Sequence, residues 1–190
     1  MCIRDRSLTM PINEQIGWIT GSQVCYCAEA FQGVPREHPD APALSVLATV
    51  LRNGFLHTAI REKGGAYGAG ATNDTSTNTF KFFSYRDPKC AETFSAFRDS
   101  IEWSKTSISE QHLEEAILGV VSSIDKPLSP VGEAKNDFNF NLEDISTEER
   151  LEMRQKVMNC SIEDLIKVSQ NYLTKDSKKS ILAGEAYREE

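Results

Sequence analysis

Along residues 16–32, Val24, Tyr26 and Ala28 alternate with Gln23, Cys25 and Cys27. That period of two predicts a strand with two distinct faces. Gly33, Pro35, Pro39 and Pro42 then interrupt any regular element. Asp40 ahead of Ala41-Pro42 predicts a helix start, because proline is tolerated in a first turn. From there Leu44, Leu47, Ala48, Leu51, Phe55 and Leu56 recur at helical spacing, and the helix ends near Lys63. Gly64 and Gly65 stop it, since glycine readily takes the left-handed cap. Further on, Phe80 and Phe82 alternate with Lys81 and Phe83, which predicts a strand over 79–85 buried on at least one face.

The second half reads as helices. Asp87-Pro88 opens one, with Phe94, Phe97 and Ile101 as its apolar stripe. Ser107 followed three residues later by Glu110 predicts a capping box for the next. Leu113, Ala116, Ile117, Val120, Val121 and Ile124 give that helix the clearest amphipathic pattern in the chain, and Pro127 and Pro130 end it. Residues 131–146 show no firm period. Ser146 with Glu149, and Ser161 with Asp164, start two shorter helices, and 179–184 read as a last strand. This order predicts an α+β fold: a mostly antiparallel sheet with helices packed on one face, a two-layer sandwich. Residues 15–190 are expected to form a single domain. Residues 1–14, which open on a stretch with no place in the pattern, are expected to be a leader outside the fold.

Charge and cysteine usage narrow the function. The net charge is −7, and acids outnumber bases. That argues against a nucleic-acid partner, because neutralising phosphates needs clustered Lys and Arg. No run approaches the roughly 18 apolar residues that span a bilayer, and no secretory signal is evident, so no membrane partner is expected. The five cysteines have no regular spacing, and Cys25-x-Cys27 is not the paired C-x-x-C of a zinc site. They are expected to be reduced structural thiols of a soluble protein in a reducing compartment, cytoplasm or organelle matrix.

The candidate chemistry lies in Arg61-Glu62-Lys63-Gly64-Gly65-Ala66-Tyr67-Gly68-Ala69-Gly70, which sets a cation and a phenol six residues apart across two glycines. A phosphate loop does not fit. No Gly-Lys-Ser/Thr opens a helix here, and a helix precedes the glycines where a dinucleotide loop has a strand. A cap and tight turn explain Gly64 and Gly65. They do not explain Gly68 and Gly70, because glycine two apart within a strand weakens it unless another backbone comes close. A seat for an extended peptide would account for them, with Tyr67 offering its phenol to a polarised carbonyl and Arg61 bonding a peptide carbonyl. Spacing alone leaves the turn and the peptide seat both open. Hydrolytic machinery is missing. His38, His57 and His112 include no i, i+4 pair, no G-x-S-x-G occurs, and Glu114-Glu115 and Glu148-Glu149 are expected to face water.

The run Leu56-His57-Thr58-Ala59-Ile60-Arg61-Glu62-Lys63-Gly64-Gly65-Ala66-Tyr67-Gly68 resembles the C-terminal half of pitrilysin/insulinase-type zinc metallopeptidases, above all their presequence-protease branch. Arg86-Asp87-Pro88 after the Phe80-to-Tyr85 strand, and Ile124-Asp125-Lys126-Pro127 after the amphipathic helix, fit the same pattern. The likeness covers residues 15–187. It implies that two bowl-like halves, each of two α+β domains, close around an unfolded peptide. Zinc is then held in the first domain by an H-x-x-E-H motif that this chain lacks. By the same resemblance Tyr67 stabilises the oxyanion formed as zinc-bound water attacks, and Arg61 helps fix the substrate backbone. Gly65 and Gly68, from the peptide-seat reading, are the further substrate-binding candidates. The implied partners are the N-terminal half of the same enzyme and an extended peptide. No metal or other cofactor is expected on this chain, and alone it should cleave nothing. The alternative is a non-catalytic structural or peptide-binding subunit of the same fold.

Overall fold

The computed structural model describes residues 15–174 and 176–187; the expected leader lies outside them. Two strands open the fold, β1 (Ile16–Thr20) and β2 (Tyr26–Gln32). Helix α1 (Ala41–Leu51) runs without a break into a π-helical segment, Arg52–Glu62. The hairpin of β3 (Gly68–Asp74) and β4 (Thr79–Tyr85) follows. Then come α2 (Ala91–Ser104), α3 (Glu110–Ile124), α4 (Pro130–Leu142), α5 (Thr147–Met158), α6 (Ile162–Tyr172) and β5 (Lys178–Gly184). The sheet order is β1-β5-β2-β4-β3. Only β1 and β5 run parallel; the other neighbours are antiparallel.

The expected α+β architecture is present, with the helices on one face of the sheet. Cys27 and Phe31 of β2 and Phe80 and Phe82 of β4 point into the core, where Leu44, Leu47 and Leu51 of α1 meet them. Phe82 stacks on Phe97 of α2 at 5.4 Å and meets Phe31 edge-on at 5.9 Å. The continuous helix Ala41–Glu62 is 22 residues long and apolar enough to cross a membrane by length and composition. Its Leu44, Leu47, Leu51, Leu56 and Ile60 are buried in the core of the domain. At the start of α1, Asp40 does not cap the helix with its side chain; its Oδ2 accepts from the Tyr172 hydroxyl at 2.8 Å, tying α6 to α1.

Three local expectations need correcting. The capping box of α3 is Ser109 with His112, not Ser107 with Glu110: Ser109 Oγ accepts from His112 N–H, and His112 Nδ1 accepts from Ser109 N–H, both at 3.2 Å. Histidine fills the role usually taken by Glu or Gln, so the sequence signature pointed two residues early. Residues 130–142 form a helix where no period was evident. Ser129 caps α4, and none of its residues is buried. Val131, Phe138 and Leu142 share one exposed side of it, so no core contact imposes a pattern on the rest.

The cysteines differ most. Cys25 and Cys90 are joined by a disulfide, with Cα atoms 6.4 Å apart. The two are 65 residues apart in sequence, and spacing gives no hint of the pairing. What unites them is a backbone bridge in which Cys25 and Asp87 exchange N–H···O bonds of 2.7 and 2.9 Å, setting the N-cap of α2 beside β2. Cys27 and Cys160 are free thiols. Burial pushes them up to about 11 and about 12, which leaves them inert at neutral pH.

Candidate functional site

The site forms where the π-helical segment ends. Gly65 lies at φ +86°, and a Cβ on Gly64 would stand 2.4 Å from the Ile60 carbonyl oxygen. The backbone therefore demands glycine at both places. The turn is closed by Gly65 N–H donating to Arg61 O and Ala66 N–H donating to Ile60 O, each at 3.1 Å. Ala66 is buried and anchors the exit. Tyr67 N–H then donates to Arg86 O at 3.2 Å, which fixes the entrance of β3 against the end of β4.

This backbone leaves the Tyr67 side chain 69% exposed. Its ring is braced edge-on by Tyr85 at 5.7 Å, and Tyr85 in turn meets Tyr26 at 5.4 Å. The Tyr67 hydroxyl makes no hydrogen bond among the described residues. Here, then, is a phenol held in place through its ring, with its donor free.

Arg61 is also exposed, but its guanidinium is engaged. Nη1 lies 3.0 Å from His57 Nε2. Arginine can only donate, so His57 Nε2 accepts and the ring proton sits on Nδ1. Nδ1 faces Glu62 Oε1 at 3.4 Å. His57 has no histidine partner in the sequence; the signal that it supports Arg61 is its i, i+4 spacing from that residue on one helical face. Arg61 and Tyr67 flank the Gly64-Gly65 turn, and no hydrogen bond joins them.

The strand glycines separate into two kinds. Among the described residues nothing lies within 4 Å of a Cβ placed on Gly68. The hollow at Gly70 is filled by this chain's own side chains: Phe83 Cζ would be 3.2 Å away and Arg52 Cγ and Cδ 3.3 Å. Gly68 leaves room beside Tyr67, whereas Gly70 lets Arg52 and Phe83 close over the strand. Among the described residues no group of three or more His, Cys, Asp and Glu could hold a metal ion.

Residues 22–183 match the family model described as the PreP C-terminal domain. The chain belongs to that family. The match takes in every element from β2 to α6 and most of β5, and so the whole of the Arg61–Tyr67 turn. As a PreP C-terminal domain it is 36% identical over 164 residues to the mitochondrial presequence protease of Kluyveromyces lactis, covering 85% of this chain and 16% of that protein. It is 40% identical over 152 residues to the mitochondrial presequence protease of Xenopus laevis, covering 80% and 14%. The chain thus spans about a sixth of these relatives' length. Among solved structures, a protease from Helicobacter pylori superposes with a TM-score of 0.75 at 18% identity, over 95% of this chain and 48% of that one. The peptidase M16 inactive domain from Pseudomonas fluorescens gives 0.72 at 16%, over 88% and 42%. These two share the fold with the PreP C-terminal domain. The zinc implied by the resemblance finds no donor set among the described residues, so no chemical step is assigned to a metal on this chain.

Proposed function

We propose that this domain is the substrate-binding end of a longer zinc metalloendopeptidase that degrades unstructured, presequence-like peptides. The observation that carries the reading is Tyr67: an exposed phenol, braced by Tyr85, with a free hydroxyl beside the open space at Gly68. An extended peptide laid over Gly68 brings a carbonyl oxygen to that hydroxyl. As the carbonyl carbon becomes tetrahedral, negative charge gathers on the oxygen and the Tyr67 O–H bond to it strengthens. A donor that gains strength only as charge develops lowers the barrier rather than tightening ground-state binding. Arg61 keeps N–H donors beyond the one given to His57, and these are suited to a neighbouring peptide carbonyl.

The rest of the enzyme, its N-terminal half, would supply the metal and the second wall of the site. Two observations support a partner of that kind. The chain covers 16% and 14% of two relatives named presequence proteases. The apolar side of α4, with Val131, Phe138 and Leu142, is largely exposed. Those relatives are named as mitochondrial, which supports an organelle matrix as the compartment.

The test is Tyr67→Phe in the full-length enzyme. We expect kcat to fall roughly ten- to a thousand-fold, the range around one lost oxyanion donor, with KM, zinc content and melting temperature little changed. An unaltered kcat would remove Tyr67 from the chemistry and favour a non-catalytic, peptide-holding role.

A further inference from the structure

Arg86 turns the chain between β4 and α2 in a conformation that most side chains avoid, with φ at +50°. Among the described residues two other non-glycine positions, Asn78 and Asp144, also have a positive φ. Asparagine and aspartate tolerate the left-handed region through local hydrogen bonds, whereas a long side chain such as arginine gains no such offset. The neighbours enforce the turn. Tyr85 is the last residue of β4 and stays in register with Gly68 of β3. Asp87 is fully buried and pinned: its backbone is bridged to Cys25 in both directions, its Oδ1 accepts from Lys89 N–H at 2.9 Å, and its Oδ2 accepts from the Thr93 hydroxyl at 2.6 Å. The chain has one residue in which to pass from the ladder to the bridge. Glycine would make that passage without strain, so the backbone does not call for the side chain that stands there.

We propose that Arg86 is a positioning residue for the Tyr67 phenol, acting through Tyr85. This role rests on the peptidase reading above and deepens it. Arg86 reaches Tyr67 by two routes. Its carbonyl accepts from Tyr67 N–H at 3.2 Å, which places the backbone. Its guanidinium carbon lies 5.8 Å from the centre of the Tyr85 ring, within cation–π range. Tyr85 and Tyr26 lie on the face of the sheet turned away from the helices, because Ser84 and Cys27 beside them are buried on the other. Tyr85 meets Tyr67 edge-on at 5.7 Å and Tyr26 at 5.4 Å, so the cation sits on the middle ring of three. Among the described residues the Arg86 guanidinium makes no hydrogen bond and no ion pair, which leaves the Tyr85 ring as its partner. Tyr67 needs such a brace. Its side chain is largely exposed and its hydroxyl is unbonded, so its ring contact alone selects one rotamer from several. An oxyanion donor acts only when it stands about 2.7–3.1 Å from the charged oxygen. A cation held over the middle ring favours the braced arrangement by about two- to fivefold.

The experiment is a double-mutant cycle in the full-length enzyme, read by peptide cleavage and thermal melts. Arg86→Gly removes the guanidinium and the backbone strain together. We expect kcat to fall about two- to fivefold with KM unchanged, while the melt stays where it is or rises. Arg86→Lys keeps a cation over the ring and should hold kcat within about twofold of the parent. In a Tyr67→Phe background no hydroxyl is left to place, so Arg86→Gly should cost nothing further. An equal loss in that background would overturn the proposal, since Arg86 would then act on the reaction by itself. A raised KM at constant kcat would overturn it too, as the mark of a direct substrate contact. So would a kcat loss accompanied by a lowered melt, which is the mark of a structural role, or a loss as large in Arg86→Lys as in Arg86→Gly. Unaltered kcat in Arg86→Gly beside an impaired Tyr67→Phe removes the role of Arg86 and leaves the peptidase reading standing. Unaltered kcat in Tyr67→Phe itself removes that reading and this role with it.

Discussion

At Asp74 one carboxylate organises the β3–β4 turn. Its Oδ1 accepts from Ser76 N–H at 3.1 Å, Thr77 N–H at 3.2 Å and the Ser76 hydroxyl at 2.7 Å, while Oδ2 accepts from Lys81 Nζ at 2.6 Å. Lys81 first, then Ser76, hold this carboxyl well below the usual carboxylate range. A carboxyl depressed in the folded state contributes stability that is complete above its ordinary value of 3.8 and is lost as pH falls through the folded value. Asp74→Asn should therefore lower stability at neutral pH by roughly 1 kcal/mol, the scale of a lost hydrogen bond, and flatten the loss of stability below about pH 4. Urea melts at pH 7 and pH 3 read both effects. An Asn variant with an unchanged acid limb would show that other carboxylates carry it. The same scale explains why Tyr67 was legible in the sequence and His57 was not. A phenol after two glycines stands out in the text. A histidine matters here only because Arg61 sits one turn on and finds its Nε2 lone pair.

At the scale of elements, the helix-to-strand turn makes a sharp distinction among glycines that look alike. Gly64 is closed in by the Ile60 carbonyl, and Gly68 meets nothing among the described residues. Gly64→Ala should destabilise by roughly 1–3 kcal/mol, because the obstruction is backbone and cannot swing aside. Gly68→Ala should leave the melt close to wild type and, in the full-length enzyme, raise KM, because the methyl enters the space left for substrate. Thermal melts of the two variants beside peptide cleavage separate the roles. A Gly64→Ala protein as stable as the parent would mean that the turn can rebuild. Much of this level was readable along the chain. β4 spans the predicted residues because Phe80 and Phe82 alternate without exception, and the boxes at Ser146 and Ser161 start α5 and α6 as expected. The box at Ser109 was not readable, since histidine at the third position is outside the usual signature.

At the scale of the whole molecule, the Cys25–Cys90 bond encloses α1, the π-helical segment, the turn with Tyr67 and the β3–β4 hairpin in one covalent loop. Closing a loop of this length restricts the unfolded chain by roughly 4 kcal/mol. For a domain of this size that is about 10 °C in melting temperature. Cys25→Ser, or reductant added to the parent, should give that shift, measured by calorimetry with free thiols counted in parallel. A reductant-insensitive melt with both thiols already free would mean that the bond does not form in solution. The sequence by itself determined the α+β class, every helix but α4 and their order, the glycine stop and the pairing of a cation with a phenol across it. Each follows from local periodicity, caps or backbone freedom, which a neighbourhood of a few residues sets. Tertiary structure alone decided the disulfide, the filling of Gly70 by Arg52 and Phe83, and the line of rings from Tyr67 across the open face of the sheet. Those depend on strand order and register, which bring together residues tens of positions apart and leave no spacing to read.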